Sequence, residues 1–70
     1  MNPTRCIIVD VDGDEIFPGI IAKTPKISKP HIGKHGLAEE DENLNVKITL
    51  DDRTIIMGYE CWWQPEKEIP

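Results

Sequence analysis

The apolar residues of this chain recur in short runs with the two-residue period of β-strands. In the clearest run, residues 46–50, three apolar side chains alternate with Lys47 and Thr49. Residues 6–11, 15–22 and 54–59 are also rich in β-branched side chains. The pattern predicts an all-β fold in which helix is confined to about one turn.

Turn residues join these runs into two predicted hairpins. Asp12-Gly13-Asp14 follows the first run, and Asp51-Asp52-Arg53 follows the third. Pro18 cannot donate to a ladder, so the second run is expected to lie at a sheet edge or to bend at Pro18-Gly19. Arg53 stands where glycine is usual, and a left-handed residue there costs roughly 1–2 kcal/mol. The turn therefore either avoids a positive φ angle or tolerates the strain.

A connection of about twenty residues, Thr24 to Leu44, is predicted to be a long exposed loop between the hairpins. Its two prolines and two glycines prevent a helix in its first part, residues 24–36. Loops of this length inside a small domain tend to be functional or mobile. Residues 64–70 are predicted to form a frayed tail.

A chain of 70 residues forms one small domain, which buries only about 60% of its unfolded surface. Cys6 and Cys61 are predicted to be small, reduced core residues, with a disulfide or a metal site as alternatives. No apolar run reaches the roughly 20 residues of a membrane span, and residues 1–6 lack the pattern of a signal peptide. We therefore expect a cytoplasmic protein without membrane contact.

Two hairpins, a long loop and a short turn near Gly58 fit one domain over residues 1–70. The expected architecture is a small SH3-like barrel of about five strands. One core is predicted to collect inward-facing side chains from all the runs. These are Ile7, Val9, Ile21, Val46, Ile48, Leu50, Ile55 and Met57.

Two segments carry a resemblance to Tudor-type members of the SH3-like barrels. The first, DGDEIFPGIIAK, places a turn before a strand with an aromatic, a small and a branched apolar residue. The second, VKITLDDRTIIMGYECWW, places a strand before an acidic turn, and a short turn before a closing strand. The resemblance implies the barrel fold and an aromatic cage for a methylated lysine.

A second resemblance is local. The segment GKHGLA, residues 33–38, is similar to the GKHGxA loop of the hypusine-bearing translation factors related to elongation factor P. Their first domain is also an SH3-like barrel. The resemblance implies that Lys34 lies where that family modifies a lysine. In that family a strand follows the loop at once, whereas here residues 39–45 are expected to intervene.

Charge is segregated along the chain. Residues 16–38 contain no acid, and the rest of the chain carries four bases against all thirteen acids, a net charge of −9 within the overall −5. Such patterning indicates a binding surface. The candidate contact residues in the acid-free segment are Lys23, Lys26, Lys29, Lys34 and His35.

Three of the four aromatic residues lie close together: Tyr59, Trp62 and Trp63. Neighbouring strand residues point to opposite faces, so one tryptophan is predicted to be buried and the other exposed. Parity with Ile56 favours Trp62 as the buried one, unless a bulge at Gly58 reverses the assignment. All three aromatics are candidate contacts for a protein partner, because Trp and Tyr are enriched at binding hot spots.

The cysteines and histidines raise two other possibilities, a zinc site and a Cys–His nucleophile pair. Cys6, Cys61, His31 and His35 could in principle hold zinc, but the chain has no CxxC motif, and exposed histidines are the simpler interpretation. A Cys–His nucleophile pair would need a histidine to fold back onto a strand, and nothing in the sequence fixes that geometry. We expect no enzymatic activity and no cofactor.

The sequence is therefore interpreted as a non-enzymatic interaction module that binds a protein partner through an exposed Trp and a basic loop, as a monomer or weak dimer. One alternative is an acidic inhibitor or nucleic-acid mimic of phage or mobile-element type, since clustered acids can imitate a run of phosphates. The other is contact with RNA or a ribosome through the lysines, which would position a backbone without reading bases.

Overall fold

The structure, a computed structural model, describes residues 1–68 and confirms the all-β class. Seven strands lie in this part of the chain: β1 (Thr4–Val9), β2 (Asp12–Phe17), β3 (Ile20–Lys23), β4 (His35–Glu40), β5 (Val46–Leu50), β6 (Ile55–Met57) and β7 (Trp62–Pro65). Its helices are three single turns of 3-10 helix: Lys29–His31, Gly58–Glu60 and Glu66–Glu68. No helix within residues 1–68 is long and apolar enough to cross a membrane.

Five strands form one antiparallel sheet in the order β6-β5-β4-β1-β7, and β2 pairs with β3 in a separate two-stranded ribbon. β1 is flanked on one side by β4 and on the other by β7, which joins the two ends of the chain. Within residues 1–68 no ladder connects β6 to β7, so hydrogen bonding leaves the sheet open there.

The predicted loop from Thr24 to Leu44 is wrong for residues 35–40, which form the central strand β4. The reason is the role of Gly36. It is buried opposite Cys6 on one side and Leu50 on the other, and a Cβ there would lie 2.6 Å from the Thr49 carbonyl oxygen. Glycine is needed at this position because the backbone of β5 approaches closely, whereas the sequence suggested a loop.

The first predicted hairpin has a different turn. β2 pairs with β3, and the connection is Pro18-Gly19, with Gly19 at a φ angle of +79°. Asp12-Gly13-Asp14, the predicted turn, lies within β2 at a register shift. A two-residue connection at Pro18-Gly19 needs a positive φ angle, which glycine supplies.

The second predicted hairpin, β5–β6, is confirmed, and its turn has a counterpart between β4 and β5. In each, a three-residue loop ends in a left-handed residue: Arg53 at a φ angle of +74° and Leu44 at +63°. The hydrogen bonds match, since the Arg53 N–H donates to the Leu50 carbonyl over 2.8 Å and the Leu44 N–H donates to the Asp41 carbonyl over 3.0 Å. Both turns tolerate the strain that glycine would relieve.

The core combines side chains from five of the seven strands, namely β1, β4, β5, β6 and β7, with that of Cys61, which directly precedes β7. Its buried members are Cys6, Ile8, Ala38, Ile48, Leu50, Ile56 and Cys61, with Val46 and Trp63 packed against them. Ile48 and Leu50 were predicted correctly, and Val46 is partly buried. Both cysteines are free and buried, as expected.

The other core predictions are wrong, because in β1 and β6 the residues that point inwards alternate with the ones that were predicted to do so. Ile8 and Ile56 point inwards, so Ile7, Val9 and Met57 are only half-buried, and Ile55 is 60% exposed. In β3, Ala22 is buried while Ile21 is exposed. Several of these segments are apolar on both faces, so their sequence alone does not determine which face is buried.

The predicted frayed tail is wrong for residues 64–68. Gln64 and Pro65 belong to β7 and pair with Ile7 and Cys6, and a 3-10 turn follows. Positions 69 and 70 of that predicted tail lie outside the described residues.

Replacement of Ile48 by alanine should destabilise the fold by about 2–5 kcal/mol, because it leaves a cavity in a fully buried site. Ile55→Ala on the neighbouring strand is the matched control, since that isoleucine is exposed and its loss should cost about 0.5 kcal/mol or less. Urea unfolding followed by circular dichroism measures both. Equal losses would show that the assigned parity of β5 and β6 is wrong.

Arg53→Gly should stabilise the protein by about 0.5–1 kcal/mol, because it relieves a left-handed backbone at an exposed turn. Arg53→Ala removes the same side chain but keeps the strain, so it should give no gain. The difference between the two midpoints of thermal unfolding is the measurement, and a gain from alanine as large as that from glycine would contradict a backbone origin.

Alkaline pH should weaken the fold through the cysteines. Burial raises the pKa of Cys61 from 9.0 to about 11 and also raises the pKa of Cys6. The folded state thus holds the thiol protons more tightly, and the stability this contributes is intact below pH 9 and is lost as the pH rises through the folded pKa. The free energy of unfolding of the wild type should therefore fall more steeply between pH 8.5 and 10.5 than that of Cys61→Ala; identical slopes would refute it.

Candidate functional site

A groove of about 510 Å³ lies between the end of the β2–β3 ribbon and the Gly58–Glu60 turn. Its lining residues are Lys23, Pro25, Gly58, Tyr59, Cys61, Trp62 and Trp63. Four of these, one lysine and the three clustered aromatics, are residues that the sequence indicated as partner contacts. The fold thus brings together side chains from opposite halves of the chain.

The Gly58–Glu60 turn determines which tryptophan faces the groove's open side. This 3-10 turn interrupts the alternation of β6, so Trp62 is 36% exposed while Trp63 packs against the core. The prediction that Trp62 is buried is therefore wrong, and the reversal at Gly58 is what occurs. A Cβ on Gly58 would lie 2.9 Å from the Cβ of Val46, so only glycine permits this close turn.

Trp62 is fixed in place by a hydrogen bond to the ribbon. Its indole N–H donates to the Lys23 carbonyl oxygen over 2.9 Å. Tyr59, on the turn, is 73% exposed. One aromatic wall of the groove is therefore held rigidly and the other is free to adjust to an occupant.

Thr24 holds the base of the ribbon, and sequence analysis did not identify it. Its buried hydroxyl accepts the Val11 N–H over 2.7 Å, and its own proton faces Asp10 Oδ1 at 2.9 Å and the Val11 carbonyl at 3.1 Å. These bonds join the residues that precede β2 to the residue that follows β3. No sequence signal distinguishes this threonine from an ordinary loop residue.

Cys61 contributes a buried thiol to the lining of the groove. Burial, reinforced by Cys6 and Glu60, raises the pKa of the Cys61 thiol to about 11, so it stays protonated. The thiol faces the Met57 carbonyl at 3.5 Å. Cys61 therefore contributes a small, uncharged surface to the groove.

Lys26 and Lys29 are two more of the predicted contact residues, and they lie in the segment that follows the groove residue Pro25 in sequence. Residues 25–34 form a coil of successive i to i+3 hydrogen bonds, including Lys29 N–H to the Lys26 carbonyl at 3.3 Å. Because residues three apart eclipse in such a coil, these two lysines lie on one side of it. Ser28 anchors the coil: it is fully buried, and its hydroxyl donates to the Pro25 carbonyl over 2.9 Å.

Among the side chains that the structure describes, those of residues 1–67, no acidic group lies at ion-pair distance from Lys23, Lys26 or Lys29. These three residues are called the lysine strip below. The strip begins at the groove and runs along the coil, so its positive charge is available to an occupant of the groove.

Lys34 and His35 do not join this strip. Lys34 Nζ forms an ion pair with Asp52 Oδ2 at 2.8 Å, and His35 Nδ1 lies 2.7 Å from Glu66 Oε1. A pocket of about 290 Å³ lies beside them and is lined by Gly33, Lys34, His35, Asp51 and Asp52. The predicted basic contact set is therefore divided between two places.

The neighbouring Arg5 belongs to the same ion-pair cluster. Its guanidinium makes two hydrogen bonds of 2.8 Å to the Asp51 carboxylate and lowers the pKa of that group. The Lys34 ammonium, with Thr54, likewise lowers the pKa of Asp52. This cluster links the β5–β6 turn to β1 and to the start of β4, so its charges already have intramolecular partners, unlike those of the lysine strip.

The four residues weighed as zinc ligands lie in different environments. Cys6 and Cys61 are in the core, while His31 and His35 lie in the coil and at the start of β4. Among the side chains of residues 1–67, no group of three or more His, Cys, Asp or Glu residues is placed to hold a metal ion.

Function must therefore be inferred from the groove and the charges around it, because no protein-family model, curated protein or solved structure matches this chain.

Proposed function

We propose that this chain is a non-enzymatic interaction module that binds a short segment of a protein partner in the aromatic groove. The observation that carries the proposal is the convergence of Tyr59, Trp62 and Trp63 with Pro25 on one groove. Exposed Trp and Tyr rings provide large contact areas with few rotatable bonds, which is why they dominate protein-binding hot spots. The fixed orientation of Trp62 reduces the entropy lost on binding.

The proposed occupant is an extended peptide segment with an apolar anchor. Grooves lined with aromatic rings and proline accept extended or polyproline segments, whose side chains enter between the rings. The lysine strip at one end favours acidic residues beside that anchor. We also propose the SH3-like architecture for the fold, supported by the pairing of the last strand β7 with β1 and by the 3-10 turn before β7.

The two alternatives each have a supporting feature. No described acidic side chain pairs with the lysine strip, which favours contact with the phosphates of RNA, although the net charge of −9 outside residues 16–38 opposes a polyanion. Asp12, Asp14 and Glu15 are all exposed along β2, which favours a mimic of nucleic acid. A titration on RNA separates them, because a binder would show a steep salt dependence and a mimic would not bind.

The test of the main proposal starts from a displayed library of random peptides selected on the wild-type protein. Tyr59→Ala should weaken binding of the selected peptides at least tenfold, about 1.4 kcal/mol, because it removes one wall of the groove. The tyrosine is exposed, so the fold should be unaffected.

Ile55→Ala is the matched control, since it removes an exposed apolar side chain from β6 that is not part of the groove. Its affinity should stay within about twofold of the wild type. Failure to select any peptide, or equal losses for the two variants, would rule out the groove as the binding site.

A further inference from the structure

The coil that follows the groove presents its side chains in rows. Its successive i to i+3 hydrogen bonds put every third residue on the same side. Burial follows this period: Ser28 is fully buried and Pro25 and His31 are half-buried, whereas the residues between them are all exposed. One row therefore faces the body of the protein and holds the coil, and Lys26 and Lys29 form a row that faces outwards.

The coil is held at both ends, so its backbone is in place before anything binds. At its start, the Thr24 hydroxyl accepts the Val11 N–H over 2.7 Å. At its end, the Gly33 N–H donates to the Ile8 carbonyl over 2.8 Å, and the Ile8 N–H donates to the Lys34 carbonyl over 3.0 Å. A segment fixed in this way loses little backbone entropy when a partner binds to it.

The spacing of Lys26 and Lys29 matches that of alternate residues in an extended peptide. The Lys29 N–H donates to the Lys26 carbonyl over 3.3 Å, and three residues of such a coil rise about 6 Å. In an extended chain, residues two apart lie on the same face and are separated by about 6.5 Å. Adjacent residues point to opposite faces, so two neighbouring acids cannot both face this row of lysines.

The charges around the row favour an acidic occupant. Among the side chains of residues 1–67, no acidic group lies at ion-pair distance from Lys26 or Lys29. Lys23, the third member of the lysine strip, stands opposite Asp12 in the β2–β3 ladder, so a carboxylate of its own chain is already near it. The two lysines of the coil are therefore the cations left for an occupant of the groove.

We propose that the partner segment bound in the groove carries, beside its apolar anchor, two acidic residues two positions apart that pair with Lys26 and Lys29. This inference rests on the proposed function, because it specifies the occupant of the same groove. Pro25 lines the groove and directly precedes Lys26, so one short extended segment reaches both places. The aromatic rings supply the apolar contact, and the paired acids select among apolar segments.

The first test repeats the peptide selection on two variants. Lys26→Gln with Lys29→Gln, the coil variant, removes the row. Arg53→Gln with Lys67→Gln is the control, since it removes the same charge from two exposed side chains outside the groove. Peptides from the wild type and the control should carry two acids separated by one residue beside the anchor, and peptides from the coil variant should keep only the anchor. Equal acid content in all three selections, or acids without a preferred spacing, overturns the inference.

The second test compares two synthetic isomers of the tightest wild-type peptide, one with its acids two positions apart and one with them adjacent. Composition and net charge are thus unchanged. In anisotropy titrations the adjacent isomer should bind the wild type about threefold more weakly, because one exposed ion pair is lost. Salt should reduce this difference, and the coil variant should bind both isomers equally. Equal affinities of the isomers for the wild type, or the same difference in the coil variant, overturns the inference.

Single-stranded RNA is the competing occupant of the row. A short oligouridylate should bind the wild type more weakly than the selected peptides, because the net charge of −9 outside residues 16–38 repels a polyanion. Tighter binding of the oligouridylate than of any peptide, lost in the coil variant, would assign the two lysines to phosphates and overturn the inference.

Failure of this inference can be separated from failure of the proposed function. Selected peptides that lose affinity in Tyr59→Ala but show no preferred spacing of acids overturn only the inference. Absence of any selected peptide, or equal losses in Tyr59→Ala and Ile55→Ala, overturns the groove as a binding site and the inference with it.

Discussion

The pairing of β1 on both of its edges is the constraint on which the rest of this small fold depends. β4 lies on one side and β7 on the other, so the strand that opens the chain binds its middle and its end. Cys6 and Ile8 project from β1 into the core, and both are buried almost completely. A domain of this size has room for one core only, and β1 joins to it two strands that lie far away in sequence, β4 and β7. The closeness of β4 depends on Gly36, where any side chain would collide with the backbone of β5.

The candidate groove depends on one local reversal in the alternation of inward-facing and outward-facing side chains, between β6 and β7. If β6 continued into β7 with regular alternation, Trp62 would point inwards and Trp63 outwards. The 3-10 turn at Gly58–Glu60 reverses this and lifts Tyr59 out beside Trp62. Glu60 stabilises the turn by accepting the Met57 N–H over 3.0 Å, and Gly58 lets it pack against Val46. The local geometry of this turn therefore decides which ring is available to a partner.

The sequence predicted the strand content, the β5–β6 hairpin and the buried cysteines, because each depends on local periodicity or residue type. It did not predict β4, since Gly36 was interpreted as a loop residue and only the neighbouring backbone explains it. It placed Ile55 in the core because β6 is apolar at every position, and parity then depends on tertiary packing. Of the candidate contacts, Lys23 and the three clustered aromatics do meet at one groove. Lys34 instead forms an ion pair, and His35 a hydrogen bond, with residues distant in sequence. Such pairs cannot be derived from charge counts along the chain.

Hydrogen bonds link the ribbon to the groove, so binding in the groove should affect the stability of the ribbon. Thr24 ties the ribbon base to Val11, and the Lys23 carbonyl on the same strand end accepts the Trp62 indole N–H. An occupant that moves Trp62 must therefore stretch the hydrogen bond between its indole N–H and the ribbon. Movement of the ribbon, in turn, should displace Trp62. The strands of the ribbon are exposed and separate from the main sheet, so they belong to the least stable part of the molecule. Binding at the groove should accordingly order the ribbon first, and slower amide exchange in residues 12–23 on addition of a selected peptide, with little change in β4 and β5, is the observable consequence.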